Sequence, residues 1–455
     1  MLKTENIRNI VFMGHSGSGK TSLAETMLFE SGAISRKGNV DDGTTVSDYT
    51  TIEKERGSSI FSTLMHVNWR DNKINMVDTP GSDDFVGEVI SSLKIADTAL
   101  MVVNTAHGIE VGTEILWEYT ENFHTPCVFV FNQLDHDKSN YQMTLDQAIN
   151  RFGNKVVPFQ YPVLEGSGFN AIIDALRMVM YVFPDGGGKP QKVEIPPSEL
   201  GRAKELHNTI VEAAAENDDT LMDKYFENGT LTEEELTSGL KIALANLQIF
   251  PVFCVSAIRN MGTGRLMGFL NDIAPSPGDR PHAKLENGGT LAANASDPNT
   301  TVFVYKTTSE PQVGMVSYFK VYAGTLKNGD ELINTDHQHH ERINQIFVAE
   351  GKNRIAVTEL IAGDLGVMVK LKDTHTNETL TVKGSSNIIQ KIHWPEPRIR
   401  TAVVPPGKND MEKLVKALQQ IHEEDPTLIL EQNAQFKQLI IHGQGQLHLD
   451  IIKYR

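Results

Sequence analysis

The residues with the clearest chemical potential stand near the start of the chain, in Gly14-His15-Ser16-Gly17-Ser18-Gly19-Lys20-Thr21. They follow the apolar run Ile10-Val11-Phe12-Met13 and lead into Ser22-Leu23-Ala24-Glu25-Thr26-Met27-Leu28. Strand, glycine-rich loop and helix in that order fit G-x-x-x-x-G-K-[ST] without a mismatch. The glycines let successive backbone N–H groups converge on phosphate oxygens, and the helix N-terminus adds its positive dipole end. In this reading Lys20 reaches the β and γ phosphates, and the Thr21 hydroxyl sits on Mg2+. An ordinary glycine-rich turn is the competing reading, and the flanking strand and helix argue against it.

Two further sets of residues extend the site. Asp78-Thr79-Pro80-Gly81 ends a strand-like run beyond the loop, where an acidic residue serves as the outer Mg2+ partner. Pro80-Gly81 then turns the chain where a γ-phosphate would be sensed. The strand Pro126 to Phe131 runs into Asn132-Gln133-Leu134-Asp135, and the strand Phe250 to Val255 delivers Ser256-Ala257. A carboxylate at Asp135 can accept from both N1–H and N2–H2 of guanine, a donor pair that adenine lacks. Such charge-assisted bonds contribute about 1.5–3 kcal/mol, enough to prefer GTP over ATP. The backbone N–H groups of Ser256 and Ala257 are then expected to donate to guanine O6. N-x-x-D alone is a weak signal; behind a strand and a phosphate loop it is a strong one.

Positioning these groups requires strands alternating with helices, and the spacing predicts a doubly wound parallel sheet with its ligand at the strand C-termini. At 455 residues the chain exceeds one core, and about two to four domains are expected. A net charge of −16 argues against non-specific nucleic-acid binding by the whole surface and leaves local basic faces open. Nothing in the sequence has the apolar length of a membrane span. Met1-Leu2-Lys3-Thr4 does not begin a secretory signal. Cys127 and Cys254 lie in apolar strand-like runs and read as buried thiols of a reducing, cytoplasmic compartment.

The expected organisation is a P-loop nucleotide-binding α/β domain over 1–278, with an inserted α+β subdomain at about 157–250. A linker at 279–300, an all-β barrel at 301–396 and an incomplete α+β, ferredoxin-like domain at 397–455 follow. Helices are expected at Pro197 to Ala215, after the capping box Thr232-Glu233-Glu234-Glu235, and at Met411 to Glu424. The acidic run Glu216-Asn217-Asp218-Asp219 reads as a helix cap or solvated end, and Pro184-Asp185-Gly186-Gly187-Gly188-Lys189 as a loop. Ser31 to Gly57 is polar and poor in apolar periodicity. Its part from Ser35 is expected to be ordered only by the γ-phosphate and Mg2+. His337-Gln338-His339-His340 suggests a metal tract. It is read as a polar hairpin tip, because no Cys or second His pair answers it.

Taken together, the chain resembles elongation factor G, a translational GTPase family that moves tRNA and mRNA through the ribosome. The likeness rests on the phosphate loop, Lys54-Glu55-Arg56-Gly57, Asp78-Thr79-Pro80-Gly81, Asn132 with Asp135, and Ser256-Ala257. It continues through Val321-Tyr322-Ala323-Gly324-Thr325-Leu326-Lys327-Asn328-Gly329-Asp330 and Gly443 to Asp450. The resemblance implies GTP/GDP and Mg2+ as ligands, rRNA and ribosomal proteins as partners, a monomer and a cytoplasmic setting. It also implies two further domains in family members, so the chain reads as an N-terminal portion or a truncated paralogue.

Departures from the family cluster at one spot. The histidine that positions the attacking water is Ser82, and its two apolar neighbours are Ser16 and Ser58. The phosphate-loop acid is Gly17, and the lysine of the guanine motif is Gln133. Ser59 keeps a hydroxyl where the family has its Mg2+-binding threonine. The expected site is therefore Lys20 and the degenerate Ser82 for catalysis, with Thr21 and Ser59 on the metal. Gly14 to Thr21, Asp78, Gly81, Asn132, Gln133, Asp135, Ser256 and Ala257 would hold the nucleotide. Three functions compete: a ribosome-directed switch with weak or absent hydrolysis, a working GTPase with a substitute group such as Asp83, and a ribosome-protection or recycling factor.

Overall fold

The computed structural model describes residues 2–405, 407, 410–433 and 438–455. Strand β1 (Ile7–Met13) is buried along its whole length, as an apolar run covered on both faces must be. It feeds the phosphate loop and α1 (Lys20–Glu30). Then come α2 (Thr51–Arg56), β2 (Thr63–Trp69), β3 (Asn72–Asp78), α3 (Val86–Ile95), β4 (Thr98–Asn104) and α4 (Val111–Asn122). The chain continues through β5 (Cys127–Asn132), α5 (Tyr141–Phe152) and β6 (Val156–Pro158).

An insertion follows. Its strands β7 (Gln160–Pro162), β8 (Ala171–Asp174), β9 (Val179–Val182) and β10 (Gln191–Val193) pair in sequential antiparallel order. Helices α6 (Pro197–Ala215), α7 (Asp219–Asn228) and α8 (Glu233–Ala245) complete it. Asp218 caps α7 through the N–H groups of Thr220 and Leu221, and Thr232 with Glu235 forms the capping box of α8. Strand β11 (Phe250–Cys254) and α9 (Thr263–Asp272) close the domain.

The main sheet has the order β2-β3-β1-β4-β5-β11-β6. It is parallel apart from its edge, where β2 runs antiparallel to β3. Period-2 alternation divides β1 between two cores. Ile10 and Phe12 face the cluster that holds α1 and α9, while Val11 and Met13 face the one that holds α3, α4 and α5. The carboxyl ends of β1, β3, β5 and β11 share one edge, where an open α/β sheet places its ligand.

The β-rich domain is an eight-stranded antiparallel sheet dominated by Thr301–Glu310 and Gly314–Ala323, with a two-stranded pair, Thr325–Lys327 and Glu359–Ile361. Val302, Val304, Phe319, Val321 and Leu332 fill its core. The segment expected as a linker folds back as a short hairpin, Ala283–Lys284 with Thr290–Leu291. Burial of Leu285 and Leu291 holds that hairpin against the sheet. The His337 turn does gain an answering histidine: the His375 ring lies 5.7 Å from that of His337. Sheet pairing, not sequence proximity, brings the two together.

The last unit has three antiparallel strands in the order Ile399–Val403, Gln438–Gly443, Ile429–Asn433, together with α10 (Met411–Glu424) and α11 (Gln446–Tyr454). It closes on the nucleotide domain. Asp84 accepts the His448 N–H of α11 at 3.0 Å, and Ile451 packs with Ile52, Ile60 and Phe85. Buried pairs Lys73–Asp364, Lys306–Glu88 and Lys320–Asp97 join the nucleotide domain to the β-rich domain. Both cysteines are buried and free, and burial pushes their thiols well above the usual range. Among the described residues, no helix is long and apolar enough to cross a membrane.

Candidate nucleotide site

The loop between β1 and α1 has φ of 145° at Gly14, 79° at Gly17 and 90° at Gly19, a region that favours glycine. Space excludes side chains at two of these positions. A Cβ at Gly14 would lie 2.2 Å from the Val102 carbonyl oxygen, and one at Gly19 would lie 2.3 Å from Asn132 Nδ2. Lys20 Nζ donates to the carbonyls of Gly14 at 2.9 Å and His15 at 3.1 Å, so the ammonium lies inside the loop. Burial brings it down to about 8, an effect that Asp78 and Asp48 oppose. Gly81 closes the other side: a Cβ there would meet Lys20 Nζ at 2.5 Å and the Ser16 backbone at 2.8 Å.

The metal side is built from oxygens. Thr21 Oγ1 donates to Asp78 Oδ2 at 2.7 Å, Ser47 Oγ donates to the same oxygen at 2.7 Å, and Ser59 Oγ lies 3.1 Å from Thr21 Oγ1. Adjacent ligands of octahedral Mg2+ at 2.0–2.1 Å are about 3 Å apart, so the two hydroxyls fit neighbouring positions. Asp78 Oδ1 and both oxygens of Asp48 are buried without a hydrogen-bond partner. Burial raises the Asp48 carboxyl to about 7; Asp78 and Glu53 add to this, while Ser59 and Lys20 oppose it. Two buried carboxylates with spare lone pairs beside two hydroxyls fit a hard divalent cation.

Asp48 is a site residue that the sequence reading does not single out. Its only signal there is its place just before the capping box of α2, in which Thr50 accepts the Glu53 N–H. Within the segment 35–57, the part around 45–53 is folded and packed. Glu25 accepts the N–H groups of Gly38 and Val46, and Glu53 accepts those of Ile60 and Phe61. Thr45, Ser47, Asp48, Ile52 and Glu53 are buried, which the polar composition of the segment conceals.

At the base end, Asn132 Nδ2 donates to the Ser18 carbonyl at 2.9 Å, and Asn132 Oδ1 accepts the Ala257 N–H at 3.0 Å. One side chain thus ties the phosphate loop to the Ser256-Ala257 turn. The two N–H groups expected to face guanine O6 are both engaged: Ala257 on Asn132, and Ser256 on the Met261 carbonyl at 2.9 Å. Gln133 donates to the Gly17 carbonyl at 2.9 Å, a second strap across the loop. The Asp135 side chain is half-buried and receives no hydrogen bond from the described residues, which leaves its carboxylate to a ligand. The His15 side chain turns away toward Glu110, 3.5 Å from Nε2, so its part in the loop is a backbone one.

The third side is different. Ser16 and Ser58 are exposed, and Ser82 is half-buried at the start of a 3-10 turn with no side-chain capping bond. Ser16 lies against Gly81, next to Ser82, and Ser58 precedes the Ser59 of the metal side.

Comparison with known proteins matches the Elongation factor Tu GTP binding domain model to residues 5–276. Elongation factor G domain 2 matches 299–383 and Elongation Factor G, domain III, matches 394–455. Elongation factor G of Mycoplasma genitalium is 35% identical over 453 residues, covering 98% of this chain and 66% of its own. The chain belongs to the elongation factor G-like translational GTPases. A crystal structure of a Thermus thermophilus protein superposes with a TM-score of 0.89 at 30% identity, over 99% of this chain and 66% of that one. The chain thus spans just under two thirds of the length of both relatives. Family membership agrees with a phosphate loop, a base end and a metal side that meet at one sheet edge.

Proposed function

We propose that this chain is a ribosome-directed GTP-binding factor of the elongation factor G type whose own hydrolysis of GTP is weak or absent. The observation that carries the reading is the contrast within the site. Lys20, Thr21, Asp78, Asp48 and Asn132 are buried, while Ser16 and Ser58 are exposed and Ser82 half-buried at an open polar margin. Lys20 and the loop N–H groups bind phosphate, and Asp135 selects guanine through two accepted hydrogen bonds. Thr21 and Ser59 hold Mg2+, with Asp78 and Asp48 outside them. When bound, the cation offsets phosphate charge.

Hydrolysis needs a group that places water in line with the γ-phosphate. The Ser82 hydroxyl is too short to do so and brings no positive charge. Asp83, the substitute acid weighed from the sequence, begins the 3-10 turn after Ser82 and is half-buried; its neighbour Asp84 accepts the His448 N–H of α11. The ribosome is the partner proposed, with the chain acting as a monomer in the cytoplasm. Binding of GTP in preference to ATP, with ribosome-stimulated phosphate release far below that of histidine-bearing relatives, is the expected result. Equal affinity for ATP and GTP, or release at the relatives' rate, contradicts it.

A further inference from the structure

Away from the nucleotide, the β-rich domain carries a cluster of histidines and carboxylates that the site above does not use. His337, Asp373 and His375 each bring one ligand atom within 4.8 Å of the others. The pattern of partners around them is more specific than proximity. His375 Nδ1 is bonded to Glu423 at 2.6 Å, His337 Nε2 to Glu378 at 2.9 Å, and His339 Nε2 to Glu341 at 3.1 Å. Each ring therefore has one nitrogen fixed by a glutamate. The other nitrogen of His375 meets Asp373 at 3.0 Å, and that of His339 lies 4.0 Å from the same carboxylate.

A carboxylate holding the far nitrogen of a histidine is the arrangement that orients imidazole toward a metal and raises its basicity. The frame is also rigid. Buried Glu341 accepts the N–H groups of Lys372 and Asp373 and the Thr374 hydroxyl, and buried Glu378 accepts the His375 N–H and Asn334 Nδ2. The loop that carries Asp373 and His375 is thereby fixed from beneath, while His337 and Asp373 are exposed and His375 half-buried, which leaves an ion a way in from solvent. Surface ion pairs alone would leave such a loop free to move and need no buried acid below it.

We propose that His337, His375 and Asp373 bind a divalent transition metal of the Zn2+ class, with His339 or water in the fourth position. Two imidazoles and one carboxylate suit a borderline ion at 2.0–2.2 Å, unlike the all-oxygen sets that Mg2+ and Ca2+ take. The ligand atoms lie within 4.8 Å of one another, so small side-chain rotations would bring them onto one ion. Glu423 belongs to α10, so the same ion would brace the β-rich domain against the last unit. There the Glu423 carbonyl also accepts the Thr307 hydroxyl at 3.1 Å. The ion would thus add a joint between these two units.

The test is calorimetric titration of the chelator-treated chain with Zn2+ alone, together with the visible spectrum of added Co2+. One Zn2+ per chain is expected, with a nitrogen-ligated, low-symmetry Co2+ spectrum. His375→Asn and His337→Asn should each weaken binding at least tenfold. Glu423→Gln, which alters only the orienting partner, should weaken it by about 10–100-fold. His340→Asn, in the same tract but outside the cluster, should leave it unchanged. If a variant misfolds by circular dichroism, the Co2+ spectrum of the unmutated chain still decides. An aqua-ion spectrum, no saturable Zn2+ binding, or undiminished binding in a folded His337→Asn/His375→Asn chain overturns the proposal.

Discussion

The two sides of the nucleotide site are built on opposite physical terms. On the phosphate and metal side, Lys20, Thr21, Ser47, Asp48 and Asp78 are buried, with Ser59 half-buried beside them. Asp78 alone fixes Thr21 and Ser47. On the water side, two serines are exposed and a third is half-buried. Binding and hydrolysis make separate demands on a GTPase. A cradle of backbone N–H groups and fixed charges suffices for the first, whereas the second needs a positioned group in a dry wall. On the reading proposed above, the chain keeps the first, while Ser16, Ser58 and Ser82 put polar side chains where the second would stand.

Breaking the binding side should produce the largest effect. Asp78→Ala removes two charge-assisted bonds, leaving the buried Ser47 hydroxyl unpaired and Thr21 with Ser59, at about 3 kcal/mol or roughly a hundredfold in Mg2+·GTP affinity. Calorimetry with and without Mg2+ should show that most of the loss lies in the Mg2+-dependent part. An unchanged Mg2+ dependence would remove Asp78 from the metal side.

Rebuilding the water side is the converse. Ser82→His alone should give little ribosome-stimulated hydrolysis, because Ser16 and Ser58 leave the ring unsupported. Poor positioning by itself costs on the order of a hundredfold. Ser16→Val/Ser58→Ile/Ser82→His should exceed the sum of the separate changes, since such groups act as a unit. Additive single effects in single-turnover assays would show that the wall has no collective role.

Asp135→Asn should cost about 1.5–3 kcal/mol for GDP and GTP and leave the weak affinity for ATP unchanged, as read by competition with a fluorescent nucleotide. Parallel losses for guanine and adenine nucleotides would place the selectivity elsewhere.

The smallest effect distinguishes the two sides by pH. The folded Asp48 carboxyl titrates at about 7 against an ordinary 3.8. Its proton is held more tightly folded than unfolded. The stabilisation is therefore fully present below about pH 4 and is lost as pH rises through about 7. In chelator and without nucleotide, Asp48→Asn should flatten that slope, by at most about 1.4 kcal/mol per pH unit. Ser16→Ala and Ser58→Ala should leave it as it was, because neither substitution touches the Asp48 carboxyl.

What can be read from the sequence follows from how local each feature is. The phosphate loop is legible because its work is done by backbone geometry within eight consecutive residues. The capping box of α8 is equally plain. Asp48 is hidden because only the fold buries it, beside Asp78 at the end of β3. Strands β7 to β10 are hidden too, because runs of three or four residues carry too little periodicity. The base-end turn stands where the sequence puts it, yet the use of its N–H groups depends on Asn132 and Met261, which tertiary packing supplies. His375 illustrates the same limit: a search for a second histidine near His337 in the sequence does not see across a sheet.

The most direct test of the central claim is single-turnover phosphate release from GTP prebound to the unmutated chain, with and without ribosomes, alongside the Ser16→Val/Ser58→Ile/Ser82→His chain. The account predicts that the unmutated chain retains its GTP with little acceleration by ribosomes, and that the rebuilt chain releases phosphate distinctly faster. Ribosome-stimulated release from the unmutated chain at the rate of an ordinary histidine-bearing relative would contradict it.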